Sequence, residues 1–239
     1  MISLTYDLHI HSCLSPCGDD DMTPANIAGM AAVKGVDVIA VTDHNSCKNC
    51  PAVLHHAQEY GILAIPGMEL CTLEEVHAVC LFPSLLKAME FDEYVEKRLI
   101  PFPNNEGIFG RQLIYNKEDF NVGRVENLLI YATEISFDGL WELVRSYGGI
   151  MFPAHVDKNA NSLLSNLGFV PPNSRFTAAE VMDLKRLPDL VRQNPYLENC
   201  LILHNSDAHQ LWNIKEQGQP LYAQEKSASG VISSLLKEI

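Results

Sequence analysis

Residues 7–21 (DLHIHSCLSPCGDDD) combine two histidines, two cysteines and four carboxylates in fifteen positions. Charged and polar groups are costly to bury unless they are paired or bind a metal. This mixture is therefore typical of a metal site, a redox site or an acidic loop. His9 and His11 are two residues apart, and in an extended chain this spacing places both imidazole rings on the same side.

Other histidine and carboxylate side chains lie close to the ends of short apolar runs. In chain order they are Asp43 and His44 after VDVIAVT, Glu69 after IPGM, His77 before AVCLF, His155 after GGIMFPA, and Asp207 with His209 after CLILHNS. A single histidine is more often an ordinary buried or surface residue. Five strands that all end in such groups predict one shared site, because ligands bind at the carboxyl ends of parallel strands. Imidazole and carboxylate ligands favour Zn, Fe or Mn.

Alternating apolar and amphipathic segments predict the elements that hold these side chains, in a parallel α/β fold. We predict strands over 4–10, 36–42, 62–71, 76–82, 149–152, 179–182 and 200–203. We predict helices over 24–34, 51–60, 84–99, 137–147, 162–167, 189–192 and 227–237. Gly35 and Gly61 stand where helices are expected to stop.

The composition predicts one globular domain over residues 1–239, with an irregular insertion at about 101–124. Hydrophobic residues make up 47% and charged residues 20% of the chain. No apolar run is long enough to span a membrane. The N-terminus does not resemble a secretory signal. The seven cysteines are an odd number, spread along a chain too large to need disulfides, so we expect a protein of the reducing cytoplasm. A net charge of −13 argues against bulk binding to nucleic acid or membrane, but it does not exclude a phosphorylated substrate.

Taken together, the motifs resemble those of the PHP (polymerase and histidinol phosphatase) family. The matching segments are HIH at 9–11, TDHN at 42–45, GME at 67–69, His77, PAH at 153–155 and SDAH at 206–209. The resemblance spans residues 6–210. It implies a distorted seven-stranded β/α barrel that holds two or three divalent metal ions (Zn, Fe or Mn) and hydrolyses phosphoesters with a metal-activated water.

The resemblance also implies the ligands of each metal. His9, His11, Glu69 and Asp207 would hold the first, and Glu69 would bridge to a second that is completed by His77 and His155. His44 and His209 would hold a third, with one more ligand from the loop after His11. Counting back five residues from Pro24, as the family's loop suggests, gives Asp19, and Cys17 and Asp20 are the alternatives. From this set and its neighbour Asp43 we expect catalytic roles for Asp43, His44, Glu69 and His155.

Several residues have two interpretations. Asp43 could orient a ligand histidine or accept a proton, or it could cap the end of a strand. Arg111 and Arg124 in the insertion and Lys158 after His155 are candidates for binding phosphate, although most Lys and Arg side chains are simply exposed. If the insertion folded over the site as a lid, replacing Arg111 or Arg124 with alanine should raise KM.

The cysteines of two loops are a further open question. Cys13, Cys17, Cys47 and Cys50 follow adjacent strands, so their sulfurs could meet at a redox or metal site. The alternative is that they are small buried residues of a reduced protein.

The sequence therefore predicts a hydrolase for a small phosphomonoester or a nucleotide. Two other functions are a metal-dependent C–N hydrolase of the amidohydrolase type and a non-catalytic, metal-stabilised regulatory module. The additional histidines His44, His77 and His209 favour phosphate chemistry over the C–N hydrolase.

Overall fold

The computed structural model describes residues 1–216 and 218–238, and these form a mixed α/β fold. The strands are Ile2–Leu4 (β1), Tyr6–Ile10 (β2), Val38–Val41 (β3), Leu63–Ala64 (β4), Gly67–Cys71 (β5), His77–Leu81 (β6), Leu113–Tyr115 (β7), Asn121–Arg124 (β8), Ile150–Pro153 (β9), Ala178–Glu180 (β10), Leu201–Leu203 (β11) and Leu221–Ala223 (β12). The helices are Pro24–Val33 (α1), Cys50–Glu59 (α2), Leu85–Glu96 (α3), Glu106–Phe109 (α4), Phe137–Ser146 (α5), Leu163–Asn166 (α6), Leu187–Gln193 (α7) and Ala228–Leu235 (α8).

Local sequence signals explain where the first two helices begin and end. Thr23 caps α1 by accepting a hydrogen bond from the Asn26 amide, and Pro24 occupies the first turn, where its missing N–H costs nothing. Gly35 and Gly61 follow α1 and α2 with φ angles of 67° and 68°, a conformation that glycine adopts without strain. The predicted helix stops are thus confirmed.

Parallel pairing is found in only part of the sheet structure. Strands β2, β3 and β4 pair in parallel, as do β10 and β11. The prediction of a parallel fold is wrong for β6, which runs antiparallel to both β5 and β9. The physical reason is the connection of five residues between β5 and β6. A parallel pair needs a crossover of about a dozen residues or more.

Two other strands differ from the predicted ranges. The segment predicted as one strand over 62–71 is divided at Pro66, which has no N–H to donate and separates β4 from β5. The N-terminal segment is divided as well, because β1 leaves β2 to pair antiparallel with β12.

Continuous strand pairing in the described ranges forms separate sheets of two or three strands that lie next to one another. Isolated parallel bridges join Ile10 to Ala208 and His44 to Glu69. Apolar side chains from β2, β3, β6, β9, β10 and β11 form a buried cluster below these bridges, and α1 with α2 packs against a second cluster outside β2 and β3. The carboxyl ends of several strands therefore meet above a packed core.

The segment predicted as an irregular insertion contains α4 and an antiparallel hairpin, β7–β8, between irregular stretches. The Leu113 amide donates to the Cys13 carbonyl at 2.8 Å, and the Tyr115 amide donates to Asn49 Oδ1 at 2.9 Å. The hairpin is thereby fixed to the loops that follow β2 and β3. Within the described ranges, no helix combines the length and apolarity that crossing a bilayer requires.

Candidate metal centre

The Glu69 carboxylate lies at the centre of a buried group of histidines at one end of the strands. Its side chain is only 1% exposed. Five imidazole nitrogens lie 3.0–3.4 Å from its oxygens: those of His9, His11, His44, His77 and His155. The structure thus brings together the residues expected at the first and second metals.

Asp207 completes the set expected around the first metal. Its Oδ1 lies 3.4 Å from His9 Nε2 and 3.2 Å from His11 Nε2. The His9 and His11 Nε2 atoms are 3.2 Å apart, which is the outcome of placing two alternate residues on one face of β2.

Backbone strain accompanies two of these side chains. His155 has a φ of 30° and Asp207 a φ of 52°, in the left-handed region that residues with a Cβ rarely adopt. Such conformations cost about 1–3 kcal/mol each and cluster at functional sites. The fold holds both residues in an unfavourable backbone geometry, in which His155 contacts Glu69 and Asp207 contacts His9 and His11.

A second carboxylate, Glu180 at the end of β10, orients two of the ligand histidines. Its Oε2 accepts from His9 Nδ1 at 2.9 Å and from the His155 amide at 2.9 Å, and its Oε1 accepts from Asn205 Nδ2 at 2.9 Å. Sequence reasoning missed Glu180. The available signal was an acidic residue inside the apolar run AAEVM, in a predicted strand.

Asp43 acts on the site through a serine. It is buried and accepts hydrogen bonds from the Ser12 amide and hydroxyl at 2.7 and 2.6 Å, and from Ser15 Oγ at 2.7 Å. The Ser15 oxygen in turn lies 2.9 Å from His11 Nδ1. Because the Ser15 proton points to Asp43, His11 Nδ1 is the donor. Asp43 thus orients His11 indirectly, through Ser15, and does not line the cavity.

These contacts fix the tautomers and define what the site can bind. His9 and His11 each carry a proton on Nδ1, so both Nε2 lone pairs face each other and the oxygens of Glu69 and Asp207. Acceptors that face only acceptors repel one another unless a cation lies among them. The buried Nδ1 of His44 has no hydrogen-bond partner, although Glu69 is near. The residues therefore fit divalent metal ions, with their outer nitrogens held by neighbouring groups.

In the metal-free protein, protons supply this positive charge. Burial alone would lower the pKa of His77, but the Glu69 carboxylate raises it to about 10. Burial is likewise outweighed at His9, whose pKa is raised well above its ordinary value by Glu180, Glu69 and Asp207. Burial and the neighbouring His209 and His44 lower the pKa of His11. Proton binding is divided unequally among the histidines of the site.

Three overlapping groups in the site have ligand atoms within 4.8 Å of one another. They are His9 with His11 and Glu69, His44 with Glu69 and His77, and His11 with Cys17, His44 and His209. Asp19 belongs to none of the three; its carboxylate accepts from the Asp21 amide at 3.0 Å and lines a separate crevice with Asp20. Of the loop candidates, the structure places Cys17 in the site.

The basic residues expected to bind phosphate lie in different places. Lys158 forms an ion pair with Asp207 and lines the cavity above Glu69. Arg111 pairs with Asp20, and Arg124 pairs with Glu106 at 2.9 Å and Glu126 at 3.0 Å, all on the exposed surface. Of the three predicted phosphate-binding residues, only Lys158 lies beside the candidate metal ligands.

The sulfurs of the two loops do not meet. Cys47 and Cys50 both turn to the Gly67 carbonyl, with Sγ to O distances of 3.3 and 3.5 Å, inside an apolar cluster. Cys13 is buried beside Leu113, and only Cys17 is exposed. For Cys13, Cys47 and Cys50 the interpretation as buried, reduced residues is thus the one that the structure supports.

The site opens into a cavity of about 270 Å³. Its walls include Cys17, Ile130, Ala160 and Asn161 in addition to the charged and imidazole side chains. A cavity of this volume admits a phosphate with a small organic group or one end of a longer molecule.

Comparison with known proteins agrees with this geometry. The family model for the PHP domain matches residues 7–162. The chain belongs to the PHP domain family. The resemblance to the PHP family is thereby confirmed, and the match includes the motifs from His9 to His155, whereas SDAH at 206–209 lies beyond it. The family comprises metal-dependent phosphoesterases and nucleases.

Individual relatives of this PHP chain are distant. Uncharacterized protein MJ1587 of Methanocaldococcus jannaschii is 32% identical over 100 residues, which are 38% of this chain and 58% of that protein. The lesion-specific endonuclease PfuEndoQ of Pyrococcus furiosus superposes with a TM-score of 0.68 at 17% identity, over 99% of this chain and 56% of the endonuclease. A two-domain Bacteroides vulgatus protein with a predicted PHP-like metal-dependent phosphoesterase gives 0.57 at 17% identity, over 98% of this chain and 63% of that protein. The matches cover less than two thirds of each of these proteins.

Metal uptake by this PHP domain should release protons at neutral pH. A metal binds only deprotonated imidazole, so it must displace the protons that His9 and His77 hold in the metal-free protein. The release should diminish as the pH rises toward about 10, the pKa of His77. Calorimetry of zinc binding in buffers with different ionisation enthalpies measures this quantity, and a heat that is independent of the buffer at neutral pH would contradict it.

Replacing Glu180 with glutamine should weaken metal binding about 10–100-fold, the usual effect of removing a carboxylate that orients a ligand histidine. The exposed Glu118→Gln exchange is the matched control and should leave the affinity unchanged. Competition with a chromophoric chelator measures both variants. Equal affinities in Glu180→Gln and the wild type would show that the Glu180–His9 contact does not support the site.

Proposed function

We propose that this protein is a metal-dependent phosphoesterase that hydrolyses a small phosphomonoester or a nucleotide-type substrate. The observation that carries the proposal is the buried Glu69 carboxylate at the floor of a cavity, because both of its oxygens face imidazoles. Its Oε1 lies 3.0–3.3 Å from nitrogens of His9, His77 and His155, and its Oε2 lies 3.0–3.4 Å from nitrogens of His11 and His44. Glu69 would therefore be shared by two metals, the first held also by His9, His11 and Asp207 and the second by His77 and His155.

The metal complement that we propose is two or three divalent ions per chain, drawn from Zn, Fe and Mn. When bound, such ions supply Lewis-acid activation of water and stabilise negative charge on a phosphoryl group. His44, Glu69 and His155 contribute to catalysis by holding these ions, and Asp43 contributes by fixing His11 through Ser15.

Lys158 is the residue that we assign to substrate phosphate. Its ammonium group lies at the cavity wall, paired with Asp207, and its side chain is 43% exposed. Burial opposes the charged form, but Asp207 raises the pKa of Lys158, so the cation persists at neutral pH. An incoming phosphate can thus bind to a charge that is already next to the ligands.

For the fold, we propose the distorted seven-stranded barrel within a single PHP domain over 1–239. Two bridges, Ile10 to Ala208 and His44 to Glu69, and the 2.9 Å hydrogen bond from the Val156 amide to the Glu180 carbonyl support it. These contacts connect seven strands in the ring order β2, β3, β5, β6, β9, β10 and β11.

A second candidate is hydrolysis of a nucleic-acid phosphodiester, which the likeness to a lesion-specific endonuclease favours. The net charge of −13 and the small cavity favour a short substrate over internal sites of a long duplex. The amidohydrolase alternative usually relies on a carbamylated lysine or a single metal, whereas here Glu69 occupies the bridging position and Lys158 is paired with Asp207.

The test is a hydrolysis screen of the metal-loaded protein against p-nitrophenyl phosphate, nucleotides, short oligonucleotides and an N-acyl amino acid. We expect hydrolysis of p-nitrophenyl phosphate or a nucleotide with Mn²⁺ or Zn²⁺, and its loss in His9→Ala because that ligand touches both Glu69 and Asp207. In Lys158→Ala, KM for the phosphate substrate should rise about 10-fold or more, equal to about 1.4 kcal/mol of lost binding.

Arg124→Ala is the matched control for Lys158→Ala, because Arg124 is a cation whose partners lie on the surface. Its KM should stay at the wild-type value, and so should that of Arg111→Ala. If the protein cleaves only the N-acyl amino acid, the result would contradict the proposed phosphoesterase activity and support the C–N hydrolase instead. A metal-loaded protein that cleaves none of the substrates would favour the regulatory module.

A further inference from the structure

The loop after β2 brings to the site a side chain of a different chemical type from its neighbours. Cys17 lines the same cavity as His44 and His209 and is the exposed member of the seven cysteines, all of which the structure describes. One ligand atom from each of His11, Cys17, His44 and His209 lies within 4.8 Å of the other three. A sulfur among three imidazoles is a set of metal ligands.

Backbone contacts hold this sulfur in position. The Gly18 amide donates to the Ser15 carbonyl at 2.9 Å, and the Asp19 amide donates to the His209 carbonyl at 2.9 Å. A Cβ at Gly18 would lie 2.3 Å from the Ser12 carbonyl oxygen, so the tight course of the loop requires glycine there. The loop is thus tied directly to the residue that supplies one of the other ligands.

The carboxylates of the same loop point elsewhere. Asp20 forms an ion pair with Arg111, and Asp19 accepts from the Asp21 amide. Both line a crevice with Glu106 and Arg111, separate from the metal cavity. Within the loop, only Cys17 lines the metal cavity.

The imidazoles around Cys17 are oriented as metal ligands. His209 Nδ1 lies 2.8 Å from the Asp207 carbonyl oxygen, to which it donates, so its Nε2 lone pair is free. His11 Nδ1 donates to Ser15, which leaves its Nε2 directed into the site. The His44 side chain is 4% exposed, and its buried Nδ1 lies 3.0 Å from Glu69 Oε2 without forming a hydrogen bond. This arrangement of a buried imidazole nitrogen is an observation independent of the cysteine, and it fits a cation held by His44.

We propose that Cys17 binds a metal ion as a thiolate, together with His44 and His209 and next to His11, and that this makes the third site selective for Zn²⁺ over Mn²⁺. Thiolate is a soft ligand that prefers zinc, whereas Mn²⁺ prefers oxygen. The proposal deepens the proposed function, since it uses the same metal centre, but it concerns ligation and does not require turnover.

The experiment is cobalt substitution of the full chain. The protein is stripped with a chelator, loaded with Co²⁺ and examined by absorption spectroscopy. Wild-type protein should show the near-ultraviolet charge-transfer band of a thiolate–cobalt bond. In Cys17→Ser the band should disappear, and bound metal should fall by about one equivalent.

Two variants sharpen the result. Cys17→Asp should lose the band but retain the metal equivalent, because a carboxylate can replace the thiolate as a ligand. Cys13→Ser, in the same loop but buried beside Leu113, should retain both. A cobalt-loaded wild type without the band, or a band that persists in Cys17→Ser, would overturn the proposal.

Alkylation provides a second readout that needs no variant. Burial and the Glu69 carboxylate raise the pKa of the Cys17 thiol, so alkylation is carried out at alkaline pH. Iodoacetamide should label Cys17 faster than the other six cysteines in metal-free wild-type protein, since those six are buried, and zinc should suppress this labelling by at least about tenfold. Labelling that is unaffected by zinc would also overturn the proposal. Because neither readout involves hydrolysis, an inactive protein with zinc-protected Cys17 would count only against the proposed phosphoesterase activity.

Discussion

The Glu69 carboxylate is surrounded by five imidazoles in a part of the protein that water hardly reaches, so its charge must be balanced from within. A buried anion is tolerated only when cations or donors compensate it. The surrounding carboxylates raise the pKa values of His9 and His77, so protons can supply this charge when no metal is bound. Protons and metal ions therefore compete for the same nitrogen lone pairs. Both the stability of the site and its chemistry depend on which of these cations balances the Glu69 charge.

The remaining structure maintains this arrangement from the outside. Glu180 and the Asp43–Ser15 pair hold the Nδ1 atoms of His9 and His11, so that both Nε2 atoms face inward. The antiparallel turn between β5 and β6 places His77 beside Glu69, although the two residues lie on neighbouring strands of opposite direction. The strained backbone conformations of His155 and Asp207 fix the positions of two further side chains of the site. Each of these contacts and conformations restricts a side chain that would otherwise have several orientations.

Sequence reasoning found most of the residues that the structure brings together, because strand ends can be recognised from apolar runs. His9, His11, Glu69 and Asp207 each follow or end such a run, and convergent strand ends place them in one region. The direction of β6 was predicted wrongly, because the apolar pattern gives a strand's faces but not its direction. Glu180 was missed because strand register decides which residue of AAEVM faces the histidines.

The loop after β2 shows a second reason why some site residues cannot be assigned from the sequence. Counting residues from Pro24 selected Asp19, but side-chain direction in a loop depends on its turns. The tight approach of Gly18 to the Ser12 carbonyl sends Cys17 toward His209 and Asp19 toward the surface. A count along the chain does not contain that information. Loop ligands are therefore harder to assign from sequence than ligands at strand ends.

The most direct test of the role given to Glu69 is a crystal structure of the zinc-loaded protein with anomalous difference maps recorded at the zinc absorption edge. We predict two anomalous peaks beside Glu69, each at about 2.0–2.2 Å from one of its carboxylate oxygens. A fully loaded crystal in which Glu69 contacts no metal would contradict it.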